Sequence, residues 1–292
     1  MRILKAQICI VLLLVLGSQY AFAQKDFKTP SKKVKSKDWI SLLDEDLSQW
    51  EVWTGVPEPS VKNLPSDYQR SKEGKNENPI GLGDPMGIFK VTGQDKGELV
   101  LNISGEIYAG LTSKKEYANY HLTLLFKWGE KKYEPRLERK RDNGLLYHCH
   151  GEHGAFWNVW KSSLEFQIQE GDFGDLFKLA GTQARVTVDN QGVWDPNSQK
   201  NNQGVRTIRG MDAESPNGQW TRVDLYVLQD SSIHLTNGKV VMALTNAKSK
   251  KGKKLTKGQL QIQSEGAECF IKDVCIRSID GFPDSIKKLA GL

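Results

Sequence analysis

Cysteine is scarce in this chain: four residues in 292, one of which, Cys9, lies near the N-terminus. The other three, Cys149, Cys269 and Cys275, are an odd number and too few for a disulfide framework, so stability has to come from buried apolar surface. Cys269 and Cys275 fall in what reads as one strand, where six residues span about 20 Å, too far to bridge. The expectation is free, buried thiols. Long hydrophobic runs are nearly absent too. The only one, "ICIVLLLVLG", is too short to span a bilayer as a stable helix. It follows Arg2 and Lys5 and ends in Ala21-Phe22-Ala23, a small-residue pattern that predicts a signal peptide over 1–23 with cleavage before Gln24. Cys9 precedes the valine-leucine part of this run and is not placed for a lipid anchor. A secreted or periplasmic protein is expected.

A large charge surplus is also missing. The formal net charge of +6 falls by two once Arg2 and Lys5 are removed, which calls for no nucleic-acid partner. The lysines cluster in "QKDFKTPSKKVKSK" and "KSKKGKKLTK" (248–257), which read as solvated linker and loop. Residues 24–37 are expected to be a basic linker, 38–281 a single domain and 282–292 a C-terminal tail.

Helical periodicity is rare, and the strand signals stand out against that background. Eight tryptophans and twenty-seven glycines accompany many short alternating segments. "YHLTLLFKW" places Tyr120, Leu122, Leu124, Phe126 and Trp128 on one face, and "WTRVDLYVL" does the same for Thr221, Val223, Leu225 and Val227. "SIHLTNGKVVMAL" is a strand, an Asn-Gly turn and a strand. "QLQIQSEGAECFIKDVCIRSI" predicts two more strands around Glu265-Gly266. Short strands joined by turn residues predict an all-β sandwich or jelly roll. The stretch 55–90, rich in Gly, Pro and Asn, reads as a long irregular insertion.

The block with most chemistry is "RDNGLLYHCHGEHGAFWNVWKSSLEFQIQEGDFGD", 141–175. After an expected turn at Asn143-Gly144, alternation puts Leu145, Tyr147 and Cys149 on one face and Leu146, His148 and His150 on the other. His153 falls in a glycine-flanked turn. In "SLEFQIQEGD", Leu164, Phe166 and Ile168 face one way, and Glu165, Gln167 and Gln169 the other. A strand with one face of carboxylate and amides suits a polar cleft that binds sugars, with Tyr147, Phe156, Trp157 and Trp160 in sequence range as aromatic platforms.

Two other chemistries fit parts of this block. His148, His150 and Glu165 could form a zinc-like set, but no HExxH helix or paired cysteine motif accompanies them. Histidines that hydrogen-bond in a polar cleft are the preferred reading. Glu165 and Glu170 resemble the paired glutamates of β-jelly-roll glucanases. Here the central position is Gln167, and a five-residue spacing puts the two carboxylates on opposite faces unless a bulge intervenes, whereas a retaining mechanism needs them about 5 Å apart. Asp172 and Asp175 in "EGDFGD" read as a turn in preference to a calcium-type site.

In order along the chain, "EIYAGLTSKKEYANYHLTLLFKW", "DNGLLYHC", "SLEFQIQEGDFGD", "QWTRVDLYVLQDSSIHLTNGKVV" and "GQLQIQSEGAECFIKDVCI" resemble the successive motifs of the 3-keto-disaccharide hydrolase family. The similarity covers most of 38–280 and is specific as an ordered set. It implies a concanavalin/glucanase-like jelly roll and a substrate class of glycosides oxidised to a ketone at carbon 3. A separate sugar 3-dehydrogenase would make that ketone, so no redox cofactor is expected, while a divalent cation stays open. The ketone acidifies the proton on carbon 2. A base can remove it, the enolate can expel the aglycone from carbon 1, and water can then add.

Carried over residue by residue, Glu165 and Gln167 match the family's E-x-Q pair. Glu170 stands where its aspartate would be, and His148 where many members have arginine. A neutral imidazole at His148 can act as a base where arginine could only bind, so His148 and Glu165 are expected as an acid/base pair, with Gln167, Lys127, His150, Glu170, Tyr147 and Trp157 in contact with substrate. Two readings stay open beside it: a non-catalytic carbohydrate-binding module and a retaining glucanase-like glycosidase.

Overall fold

The structure, a computed structural model, describes residues 38–70, 78–95 and 98–292. The expected signal peptide and basic linker lie outside the described residues. In chain order the first strands are β1 (Ile40–Ser41), β2 (Trp50–Thr54), β3 (Gly81–Leu82), β4 (Phe89–Asp95), β5 (Glu98–Ile103) and β6 (Ala109–Ser113). Next come β7 (Tyr120–Lys132), β8 (Asp142–His150), β9 (Ser162–Gln169), β10 (Leu176–Leu179), β11 (Gln183–Arg185) and β12 (Arg206–Thr207). The last are β13 (Thr221–Leu228), β14 (Ser231–Thr236), β15 (Lys239–Lys248), β16 (Gln259–Ser264) and β17 (Ala267–Ser278), followed by one helix, α1 (Asp284–Leu289).

These strands form two antiparallel sheets. One has nine strands in the order β11-β15-β14-β13-β7-β17-β5-β4, with β1 added on β17; the other has eight, β12-β10-β9-β8-β16-β6-β2-β3. The fold is a jelly-roll β-sandwich in a single domain. Alternation builds the core between the sheets: Leu122, Leu124, Phe126 and Trp128 of β7 and Val223, Leu225 and Val227 of β13 meet Leu145, Tyr147, Leu164, Phe166 and Ile168 from the opposite sheet. Burying each such side chain fully contributes about 1.5–3 kcal/mol. The β14–β15 hairpin turns on Asn237 and Gly238, both at positive φ, as a two-residue turn requires. Cys149 and Cys269 are buried, Cys275 is half-buried, and none forms a disulfide.

The structure departs from the expected pattern in two places. Asn143-Gly144 is no turn; both residues lie inside β8, paired with Ile168 and Gln167. The Asn143 side chain is occupied in donating to the Gln263 backbone oxygen at 2.6 Å, which holds it in the sheet. The two strands expected around Glu265-Gly266 are present as β16 and β17, and they belong to different sheets. The second departure is a bulge between Tyr147 and His150, where His148 takes φ of 51°. One extra residue shifts the period of two. Cys149 therefore shares the outer face with Leu146, and does not lie on the core face with Tyr147. The C-terminal segment carries α1, and Ile286 and Ala290 join the core.

Candidate active site

Three links pass between the two sheets at one end of the sandwich: residues 104–108 from β5 to β6, 133–141 from β7 to β8, and Glu265-Gly266 from β16 to β17. They are tied together through backbone. Gly266 N donates to Gly105 O at 3.0 Å, and Tyr133 N donates to Gly266 O at 2.8 Å. Gly105 and Gly266 both sit at positive φ, and a Cβ at Gly105 would lie 2.3 Å from Ala267 backbone atoms. No other residue type fits there. The links deliver Tyr108, Arg136 and Glu265 to the outer face of the eight-stranded sheet, where strands β8 and β9 supply Asp142, Glu165 and Gln167.

Arg136 is the hub. Its Nη2 pairs with both Asp142 Oδ2 and Glu265 Oε1, and its Nε donates to Tyr108 Oη at 3.2 Å. Asp142 also accepts from Gln167 Nε2 at 3.0 Å and Gln169 Nε2 at 2.6 Å. Glu165 lies directly over Gly144: a Cβ there would be 2.1 Å from Glu165 Oε1 and 2.5 Å from Gln263 Oε1. Glu165 is flanked across the sheet by Leu146 on β8 and Phe177 on β10. Leu146 belongs to a second apolar cluster with Cys149, Val159, Trp160 and Leu179, edged by Trp53, Tyr108, Phe156 and Phe177. The loop 151–161 thus lays an aromatic wall beside the carboxyl groups.

This setting shifts the acidities. Burial, reinforced by the charges of Glu265 and Asp142, raises the Glu165 carboxyl well above the usual glutamate range. Burial and the Asp142 charge push Glu265 up to about 8 against the pull of Arg136. Asp142 is raised to about 6 by burial, with Arg136 opposing. Burial and Glu265 lift the Tyr108 hydroxyl to about 12. Three carboxyl groups around one guanidinium cannot all ionise, so near neutral pH the cluster keeps protons and at least one carboxylate together. Beside it, Gln167 Oε1 and Gln263 Oε1 are buried without a hydrogen-bond partner, two acceptors suited to donors such as sugar hydroxyls.

Of the residues singled out from sequence, Glu165 and Gln167 are brought together here, and the others lie elsewhere. The His148 ring is buried, and burial pushes it down to about 4; the other groups acting on it are the Lys257 backbone, His150 and Asp230. Those acting on Glu165 are Glu265, Asp142, Gln263 and Arg136, and His148 is not among them. His150 Nδ1 hydrogen-bonds to the His148 backbone oxygen at 2.9 Å. Tyr147 points into the core, its hydroxyl 2.7 Å from Ser232 Oγ and 2.9 Å from His234 Nε2. Lys127 is on the other sheet, with Nζ 4.9 Å from the Trp220 ring centre and 5.1 Å from that of Phe270.

Glu170 lies past the end of β9 and pairs with Arg141 at 3.2 Å, so the glucanase-like glutamate pair does not assemble. Trp157 is 65 % exposed and stacks on Phe156 at 4.8 Å. His153 is in the same loop, stacked on Trp53 at 5.3 Å. Asp172 and Asp175 are neutralised by Lys140, Arg206 and Arg209, which fixes them as a structural turn. Among the described residues no group of three His, Cys, Asp or Glu side chains is arranged to hold a metal ion.

Sequence reasoning missed Tyr108, Arg136, Asp142, Gln263 and Glu265. One signal was available. "QLQIQSE" carries Gln259, Gln261, Gln263 and Glu265 at period two, mirroring Glu165, Gln167 and Gln169, and β16 and β9 flank β8 from opposite sides.

The sequence pattern of the 3-keto-alpha-glucoside-1,2-lyase-like domain matches residues 38–277. The chain belongs to this family. Membership gives it a carbohydrate-related function of the glycoside-acting kind. No curated protein matches the chain. Among solved structures, a protein from Parabacteroides distasonis provisionally named a glycosyl hydrolase superposes with a TM-score of 0.51 at 15% identity, covering 86% of this chain and 98% of that one. A second such protein from the same organism gives 0.41 at 17% identity, over 66% and 90%. The carbohydrate-binding module CBM66 from Bacillus subtilis gives 0.41 at 9% identity, over 65% and 92%. The first of these supports the fold of this family member. No helix among the described residues is long and apolar enough to cross a membrane.

Proposed function

We propose that this family member is a secreted enzyme that cleaves 3-keto-glycosides by elimination and hydration at the Arg136 cluster. The observation that carries the reading is one arginine bridging two carboxyl groups beside a third whose pKa burial raises well above the usual range, all on one sheet face. Each part has a task. The Asp142/Glu265 pair takes the proton from carbon 2. The Arg136 guanidinium, with Tyr108, stabilises the negative charge that develops on the carbon-3 oxygen. As the enolate collapses, the bond from carbon 1 to the aglycone oxygen breaks, and Glu165 gives that oxygen its proton. Water then adds across the carbon 1–carbon 2 double bond: its hydroxyl goes to carbon 1, its remaining proton restores Glu165, and the Asp142/Glu265 pair returns its proton to carbon 2. No electrons are gained or lost, so the oxidation that creates the ketone belongs to a separate sugar 3-dehydrogenase. His148 has no part in this assignment, since Glu165 is not among the groups that act on its ring.

The test uses purified protein with a chromogenic 3-keto-glucoside and the matching plain glucoside. Expected are release from the keto compound only, deuterium entering carbon 2 from heavy water, and loss of release in Glu165→Gln and Glu265→Gln. Saturable sugar binding with no release from any keto-glycoside would make the face a binding module. Release from the plain glucoside would make it a glycosidase.

A further inference from the structure

On the edge of the sandwich farthest in strand order from β3 and β4, the turn at residues 180–182 carries the chain from β10 in one sheet to β11 in the other. It leaves a cavity of about 480 Å³ bounded by Lys178, Thr182, Arg185, Asn201, Asn246 and Lys248, with no acidic side chain in its lining. The volume is that of a small-molecule site. Lys178 is only 9 % exposed; its Nζ makes one long hydrogen bond, 3.3 Å to the Asn202 backbone oxygen. Among the described residues no carboxylate lies within ion-pair distance of Lys178, Arg185 or Lys248. Thr182 Oγ1, also buried in this wall, has no partner. A buried ammonium without a counter-charge is costly, and burial alone lowers the Lys178 pKa.

The lysine run 248–257 divides at the same place. Lys254 and Lys257 are paired with Asp230 and Glu116. Lys248 lines the cavity, and the Lys250 stem packs where a Gly181 Cβ would be, 3.0 Å away. Lys248, unpaired, is thus turned towards a carboxylate-free cleft.

We propose that this cleft binds an anionic group, a carboxylate or sulfate, carried on a saccharide, with Lys178 as its central cation. The saccharide part of this assignment rests on the carbohydrate reading of the chain; the anionic part rests on the cleft alone. Phe177, next to Lys178, pairs with Glu165 on the outer face, and alternation along β10 turns Lys178 to the opposite face, so the cleft is separate from the candidate active site.

Direct binding to the full chain, measured by calorimetry at low ionic strength, tests the assignment and does not depend on turnover at Glu165. The probes are tetragalacturonate, inorganic sulfate and neutral cellotetraose. Expected is saturable binding of tetragalacturonate, weakened about tenfold or more in Lys178→Met and likewise in Arg185→Ala/Lys248→Ala, whose side chains are outside the core. Lys254→Ala/Lys257→Ala removes the same charge from ion-paired positions and should leave binding unchanged. Equal loss in that control would reduce the effect to diffuse charge and overturn the proposal, as would no saturable binding of tetragalacturonate. Binding of inorganic sulfate without tetragalacturonate, or of cellotetraose as tightly, would overturn the acidic-sugar assignment.

Discussion

Gly144→Ala tests the candidate site with a single carbon atom. Gly144 lies in the middle of β8 with no positive φ, so the backbone accepts alanine, and a strand gains about 0.5–1 kcal/mol from losing a glycine. The new Cβ, however, would sit 2.1 Å from Glu165 Oε1 and 2.9 Å from Glu165 Cδ, where ordinary contact begins at 3.4 Å. The carboxyl group must retreat by more than an ångström. It cannot slide sideways, because Leu146 and Phe177 occupy the neighbouring positions on both paired strands. A displacement of that size at a reacting group costs about 10²-fold in rate, or about 2.7 kcal/mol of transition-state stabilisation. Overpacking would take about 1–3 kcal/mol from stability, partly offset by the gain from removing the glycine.

The assay is kcat/KM on a 3-keto-glucoside, normalised to folded protein by thermal melting. Gly93→Ala serves as control, because Gly93 also lies in a strand without positive φ and has nothing within 4 Å of its would-be Cβ. Gly93→Ala should keep full activity and equal or greater stability. If Gly144→Ala keeps kcat/KM within a factor of a few of the wild type, the Glu165 carboxyl is not where the reaction occurs, and the assignment fails.

The ionisable groups give stability predictions of opposite sign. Glu265, raised from 4.5 to about 8, keeps its proton in the folded state after the unfolded chain has lost it. Stability should therefore fall as pH climbs from about 4.5 to 8, and melting curves of Glu265→Gln should show a shallower fall. His148, lowered from 6.5 to about 4, is neutral when folded while the unfolded chain takes up a proton. Stability should fall as pH drops from about 6.5 towards 4, and His148→Asn should flatten that limb while leaving keto-glucoside turnover near wild type. Lys127→Ala should not touch turnover and should cost about 0.5–2 kcal/mol in denaturant melts through its lost contacts with Trp220 and Phe270.

How legible each part was depended on whether its signal was local. Tyr120 to Trp128 and the Asn237-Gly238 hairpin were read directly, because a period of two and a two-residue turn are properties of neighbouring residues. Glu165 and Gln167 came from the same rule. His148 defeated it, since counting faces assumes an unbroken period. The bulge carries no glycine of its own; it is accommodated from across the sheet by Gly258, whose Cβ would stand 2.6 Å from the His148 Cα. Arg136 and Glu265 are 129 positions apart, and no local pattern joins them. What could have been noticed is that two predicted strands, one ending in Gln-x-Gln-x-Glu order and the other beginning Glu-x-Gln-x-Gln, present complementary polar faces.

The location of the cluster explains why it can hold three carboxyl groups. On a strand alone, Glu165 would face its cross-strand neighbours Leu146 and Phe177 and find no cation. The cation arrives from a link between sheets, where backbone direction is set by closure of the sandwich and not by strand alternation. Gly105, Gly266 and Tyr133 fasten three such links to one another. The Arg136 stem passes so close to Gly266 that a Cβ there would lie 2.5 Å from Arg136 Cγ. The guanidinium is therefore held by the same contacts that close the end of the sandwich, and its position over Asp142 and Glu265 is settled by folding, before any ligand binds. Such preorganised charge needs no rearrangement as an enolate forms, and in a site walled by Trp160, Tyr108 and Phe156 its field acts with little screening from water. In this fold the apolar wall that raises the Glu165 pKa and the arginine that offsets its neighbours come from different parts of the chain. Their acidities can therefore be tuned separately, which is what a site holding both an acid and a base near neutral pH requires.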